Sequence, residues 1–206
     1  MLLLVVSVLG CSTNNFVSGT LLQSPSHVSD FELKDQFGDF LNSRSYRGKV
    51  VVLTFLYTHC FDICPTVASY LREARGMLGG DVDQVSFIII SVDPSRDTVE
   101  QAYAYSEKWG ILNNWSFLVG SEEELAPVWR SFYIDPVINE QDGASVIPHL
   151  TSNDAIDALM EGLVSKYDVV HSAPVYLIDR EGLRRILLTL PFTSDDLAHD
   201  IRTLLE

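Results

Sequence analysis

Cys60, Cys64 and, far along the chain, His171 are the side chains whose types suit metal or thiol chemistry. The two cysteines have three residues between them in His59-Cys60-Phe61-Asp62-Ile63-Cys64-Pro65. Such a pair can close as a disulfide, exchange with a disulfide of another protein, or hold a thiophilic metal. Thiolates are soft donors suited to Cu(I), zinc and iron–sulfur clusters. Structural zinc usually takes four ligands, and an iron–sulfur cluster usually takes four cysteines. Besides this pair the sequence offers only Cys11. A Cys₂His set suits copper, which tolerates a low coordination number. A Cys-x-x-Cys pair would point straight to a thiol oxidoreductase, but here the gap is one residue longer. Buried structural cysteines would sit on an apolar face, whereas both of these fall in a polar turn.

The elements around the thiols must hold them rigidly. Val50-Val51-Val52-Leu53-Thr54-Phe55-Leu56 is a β-branched and aromatic run, as expected of a strand buried on both faces. Pro65 suits the first turn of a helix. Residues 66–74 are good helix formers, and Gly79-Gly80 ends the helix. The thiols therefore lie where a central strand stops and a helix starts. Free helix N–H groups and the helix dipole favour a thiolate there.

Residues 28–41 read as a hairpin around Asp35-Gln36-Phe37-Gly38, and residues 85–92 as a second buried strand. Asp97 or Thr98 caps a helix over 99–108, a short strand covers 115–118, and a helix covers 122–132. Residues 136–148 look irregular. Ser152-Asn153-Asp154 then caps a helix whose apolar residues, Ala155, Ile156, Leu159, Met160, Leu163 and Val164, recur at helical spacing. The stretch from 136 to about 169 reads as an inserted loop and helix. A loop and strand over 169–178, a turn at Asp179-Arg180-Glu181-Gly182, a strand over 183–190 and a helix over 193–205 complete the chain. This order implies an α/β domain with a mostly parallel central sheet flanked by helices. With a dithiol after the first core strand, the expected architecture is thioredoxin-like.

That architecture gives His171 its interest. A lone histidine is most often a surface residue, but the loop before Val175-Tyr176-Leu177-Ile178 should lie beside the dithiol turn. Its imidazole can then reach both sulfurs. His59 is an alternative ligand or an outer-shell modulator; it should point away from its neighbour Cys60, which favours His171. Asp93, at the carboxyl end of a core strand, either forms a turn with Pro94 or supports a ligand from behind. His149 and Met160 read as structural, and His27 and His199 as solvated.

The chain has 206 residues, 47% hydrophobic and 20% charged, enough for one globular domain plus extra sequence. A net charge of −14 argues against nucleic acid as a partner. Residues 1–10 are almost wholly apolar but too short to cross a bilayer, which takes about 20 residues. They resemble the hydrophobic part of a secretory leader without its basic start. Val8-Leu9-Gly10-Cys11 resembles a bacterial lipobox, so Cys11 is the expected lipidation site and the odd cysteine is accounted for. Residues 11–27 are polar and turn-rich, as expected of a flexible tether. The domain proper then spans 28–206.

Three segments together resemble the SCO/SenC family: Phe55 to Thr66 with its Cys-x-x-x-Cys-Pro core, Ser91-Val92-Asp93-Pro94-Ser95-Arg96-Asp97-Thr98, and Tyr167 to Asp179 around His171. The resemblance runs over roughly residues 28–206. It implies a thioredoxin-like protein anchored by lipid outside the cytoplasmic membrane, with copper, as Cu(I) or Cu(II), held by Cys60, Cys64 and His171. It further implies a role in building the CuA centre of cytochrome c oxidase subunit II, by delivering copper or by reducing the CuA cysteines. Other copper carriers or thioredoxin-like reductases are implied as further partners. The sequence departs from the family in its longer insertion at 136–169 and in Pro174, one residue out of register with the cis-proline of thiol oxidoreductases. Two other classes remain on the residues alone. A thiol–disulfide oxidoreductase needs Cys60 and Cys64 but not His171. A peroxiredoxin-type peroxidase is disfavoured, because Leu53 and Tyr57 stand where its Pro and Thr belong.

Overall fold

A computed structural model describes residues 16–140 and 167–206. The leader, Cys11, His149, Met160 and the expected helix near 152–164 lie outside the described residues. The strands are β1 (Thr20–Leu21), β2 (Glu32–Lys34), β3 (Phe40–Asn42), β4 (Val50–Leu56), β5 (Val85–Ser91), β6 (Ser116–Leu118), β7 (Val137–Glu140), β8 (Tyr167–Val170), β9 (Val175–Ile178) and β10 (Arg184–Leu188). The helices are α1 (Ile63–Met77), α2 (Val99–Lys108), α3 (Glu122–Ser131) and α4 (Ser194–Leu205).

A six-stranded sheet in the order β1-β10-β9-β4-β5-β6 is the frame. All seven residues of β4 are buried, the reason that all but Thr54 are apolar. Parallel partners need a crossover. Helix α1 supplies it from β4 to β5, and α2 from β5 to β6. The remaining strands β9, β10 and β1 add antiparallel to the other side of β4. The architecture is the expected thioredoxin-like α/β fold, with β4 at its centre.

Local chemistry fixes the element ends. The Thr98 hydroxyl accepts from the Gln101 N–H at 3.3 Å and caps α2. Ser121 and Glu124 form a reciprocal capping box on α3, and Thr193 and Asp196 form one on α4. Trp129 Nε1 donates to the Ser91 carbonyl at 2.8 Å, which ties α3 to the end of β5.

Two expectations need correction. Residues 137–140 are not irregular: β7 pairs with β8, with Val137 opposite Val170 and Glu140 opposite Tyr167. Asn139 and Glu140 are poor strand formers, and their partner strand is distant in sequence, so only tertiary pairing makes the ribbon. The expected tether is also shorter at its domain end. Thr20 and Leu21 pair with Leu187 and Ile186 on the sheet edge. The backbone N–H groups of Ser18 and Gly19 donate to the buried Asp200 carboxylate at 2.7 and 2.8 Å. Exposed His199 is not wholly solvated, for its Nε2 meets the Phe16 carbonyl at 2.8 Å.

Candidate metal centre

The chain leaves β4 at Leu56 and folds into a tight turn. The Cys60 N–H donates to the Tyr57 carbonyl at 3.3 Å, and α1 starts at Ile63. No side-chain oxygen caps α1. Instead the Cys64 N–H donates to Cys60 Sγ at 3.4 Å, so a sulfur takes the cap's place. Pro65 lies within the first turn, where its missing N–H costs nothing. Cys60 is 7% exposed and Cys64 fully buried, and both are free thiols.

The two thiols differ sharply in acidity. Cys60 is lowered to about 6, foremost by the hydrogen bond from the Cys64 thiol. The N–H groups of Asp62 and Cys64 and the Tyr57 hydroxyl help, against the opposing cost of burial. Cys64 is pushed strongly up, first by burial and then by its role as donor to Cys60. The pair therefore offers one ready thiolate and one held proton.

His171 lies between β8 and β9. Its Nδ1 donates to the Ser172 carbonyl at 2.7 Å, which leaves Nε2 with the lone pair. That Nε2 is buried and has no hydrogen-bond partner. An orphaned buried acceptor is costly and asks for an explanation, and a metal ligand is one. Burial lowers the His171 pKa, keeping the imidazole in its ligating, neutral form. The Thr54 hydroxyl donates to the Pro174 carbonyl at 2.9 Å and holds this loop against β4. The Ala173–Pro174 bond is trans; among the described residues the cis peptide is Leu190–Pro191.

Tyr57 joins the two halves of the site. Its ring packs edge-on against His171, with centroids 5.6 Å apart, and its hydroxyl acts on Cys60. The Arg96 guanidinium lies 5.7 Å from the Tyr57 ring centre, and Arg96 Nε donates to Asp93 Oδ2 at 2.5 Å. Asp93, 2% exposed, thus acts on the aromatic wall through Arg96.

His59 occupies the half-buried side of the turn. Its Nδ1 is 2.9 Å from the Thr58 hydroxyl, which donates to Asp97 Oδ1 at 2.6 Å. Asp97 also accepts from the Ser91 hydroxyl at 2.6 Å and the Thr58 N–H at 3.0 Å. It is 3% exposed, and burial raises its pKa to about 6 against these hydrogen bonds. The His59 pKa is lowered by burial and by Arg96, with Asp93 opposing.

Cys60 and Cys64 are in direct contact, and Tyr57 links them to His171, with its hydroxyl on Cys60 and its ring against the imidazole. Among the described residues, no three His, Cys, Asp or Glu side chains are drawn together into a closed metal site. Two sulfurs and an unpartnered imidazole nitrogen nonetheless make a donor set that suits copper. Tyr57, Thr58, Arg96 and Asp97 went unmarked as site residues in the sequence. The available signals were the spacing of Tyr57 before Cys60 and the run Asp93-Pro94-Ser95-Arg96-Asp97.

Residues 20–206 match the SCO1/SenC family. The chain belongs to that family. The structure of ScoI from Bradyrhizobium japonicum with copper bound is 28% identical, with a TM-score of 0.68 over 87% of this chain and 99% of that one. A putative copper-binding protein of Stutzerimonas stutzeri is 26% identical over 189 residues, 90% of this chain and 80% of the relative. The SCO1 protein homolog of Bacillus subtilis is 24% identical over 126 residues, 61% of this chain and just under two thirds, 65%, of the relative. The SCO1/SenC match begins at Thr20, the residue that opens β1.

Proposed function

We propose that this SCO1/SenC protein binds copper through Cys60, Cys64 and His171 and serves assembly of the CuA site in subunit II of cytochrome c oxidase. The observation that carries the reading is the buried, unpartnered Nε2 of His171 on a ring packed against Tyr57, whose hydroxyl reaches the acidic free thiol of Cys60. A thiolate, a second sulfur and a neutral imidazole bind copper with few ligands, so the ion can be passed on by ligand exchange. The copper-bound structure of the Bradyrhizobium relative supports the same cargo. In the same proposal the protein acts on the outer face of a bacterial cytoplasmic membrane or in the periplasm, with a lipid on Cys11 and a short tether as its anchor.

A second reading has its own observation. Cys60, lowered to about 6 and hydrogen-bonded to the Cys64 thiol, also suits attack on a disulfide. The protein would then reduce the CuA cysteines before copper arrives. One experiment separates the two: incubation of the reduced, copper-loaded protein with a soluble CuA domain, its thiols either reduced or joined in a disulfide. Delivery predicts copper gain by the reduced acceptor, abolished by His171→Ala. Thiol maintenance predicts reduction of the oxidised acceptor that survives His171→Ala. Neither copper transfer nor disulfide reduction by the wild type would overturn both readings.

A further inference from the structure

The three proposed ligands are poorly placed to meet an exchange partner. Cys64 is fully buried, Cys60 is 7% exposed, and His171 Nε2 is shut off from solvent. Ligand exchange between two proteins needs at least one donor atom that the incoming group can approach. His59 supplies such an atom. It precedes Cys60 directly, within the tight turn that the Cys60 N–H closes on the Tyr57 carbonyl. The residue is half-buried. Its Nε2 has no hydrogen-bond partner among the described residues and is not one of the buried unpartnered atoms, so it reaches solvent.

The other ring nitrogen is fixed. The Thr58 hydroxyl has one hydrogen, given to Asp97 Oδ1 at 2.6 Å. It can only accept at 2.9 Å from His59, so the hydrogen of the imidazole sits on Nδ1 and the lone pair on Nε2. Asp97 is held in turn by the Ser91 hydroxyl at 2.6 Å and the Thr58 N–H at 3.0 Å. A carboxylate behind an imidazole that fixes ring and tautomer is a common support for a metal ligand. Here the support reaches the ring through a threonine.

We infer that His59 is the landing ligand of this site: its Nε2 binds copper during entry and exit, and the Asp97–Thr58 chain keeps that nitrogen aimed outward. The inference rests on the copper-binding function proposed above. The step is ligand exchange. A bond from copper to the donor's ligand breaks as the Nε2–copper bond forms, and that bond breaks as Cys60 Sγ takes the ion. Copper keeps its oxidation state, no electron moves, and His59 loses no proton. Thr58 and Asp97 are positioning residues; only His59 touches the ion.

The test uses the reduced full chain at pH 7.5 without oxygen, with the coloured Cu(I)–bicinchoninate complex as donor. Stopped-flow absorbance gives the rate of uptake, and competition with the same chelator gives the equilibrium affinity. His59→Ala and Thr58→Val are expected to slow uptake about tenfold, the usual cost of disturbing a ligand's support, with a far smaller change in affinity. Thr58→Ser, which keeps the hydroxyl, is expected to restore the rate. Uptake by His59→Ala at the wild-type rate would overturn the landing role. Equal losses in rate and affinity would also overturn it, making His59 a resident ligand or a structural residue. No copper uptake by the wild type would instead overturn the function on which the inference rests.

Discussion

Cys60 is acidic because hydrogen-bond donors converge on one sulfur that burial alone would neutralise. The Cys64 thiol is the strongest of them, and N–H groups at the start of α1, where the sulfur itself stands in for a cap, and the Tyr57 hydroxyl add to it. The sign of its pH dependence follows. Alkylation of the reduced protein by iodoacetamide should rise with pH through a midpoint near 6 at Cys60 and then level off. Cys64→Ala removes the leading donor and should move that midpoint up towards the ordinary thiol range near 8.5. A midpoint that stays near 6 in Cys64→Ala would show that the backbone N–H groups suffice. At this scale the sequence marks the two thiols by their residue type and spacing, and His171 only through its expected place in the fold. It was silent on Tyr57 and Arg96, which matter only because folding stacks one on the other, and Thr58 and Asp97 belong to the site only through hydrogen bonds between two strand ends.

Elements were legible where the chemistry is local. The buried run of β4, the Thr98 cap of α2 and the capping boxes of α3 and α4 all act within a few residues. Elements made by distant partners were not. Strand β7 depends on β8, and β1 is two residues long and depends on β10. The N-terminal strap is held by two N–H bonds to Asp200, a carboxylate with no exposed surface. Gly19 beside it has no room for a side chain: a Cβ would lie 2.8 Å from Ile186 Cγ2 and 2.9 Å from the Leu187 carbonyl oxygen. Asp200→Ala should therefore cost about 2 kcal/mol, the scale of hydrogen bonds to a charged group. Urea unfolding would measure that loss, and hydrogen exchange at Thr20 and Leu21 should quicken. Unchanged stability and exchange would mean that edge pairing with β10 holds the strap by itself.

Across the whole molecule, topology gathers the site at one end of the sheet. Parallel β4 and β5 deliver the thiols and the Asp93–Asp97 loop to the same edge, and antiparallel β9 starts there, bringing His171. Asp97 fastens the ends of β4 and β5 together through Thr58 and Ser91. A largely buried ion pair, Arg96–Asp93, lies within this arrangement. In the proposed site, two sulfurs from one turn and a nitrogen from a loop more than 100 residues later hold one copper ion. Its most direct test is copper stoichiometry and affinity of the reduced full chain, compared with Cys60→Ser/Cys64→Ser and with His171→Ala. The wild type should bind about one copper per chain, the double variant none, and His171→Ala should lose at least about tenfold in affinity. Copper held by His171→Ala as tightly as by the wild type would contradict it.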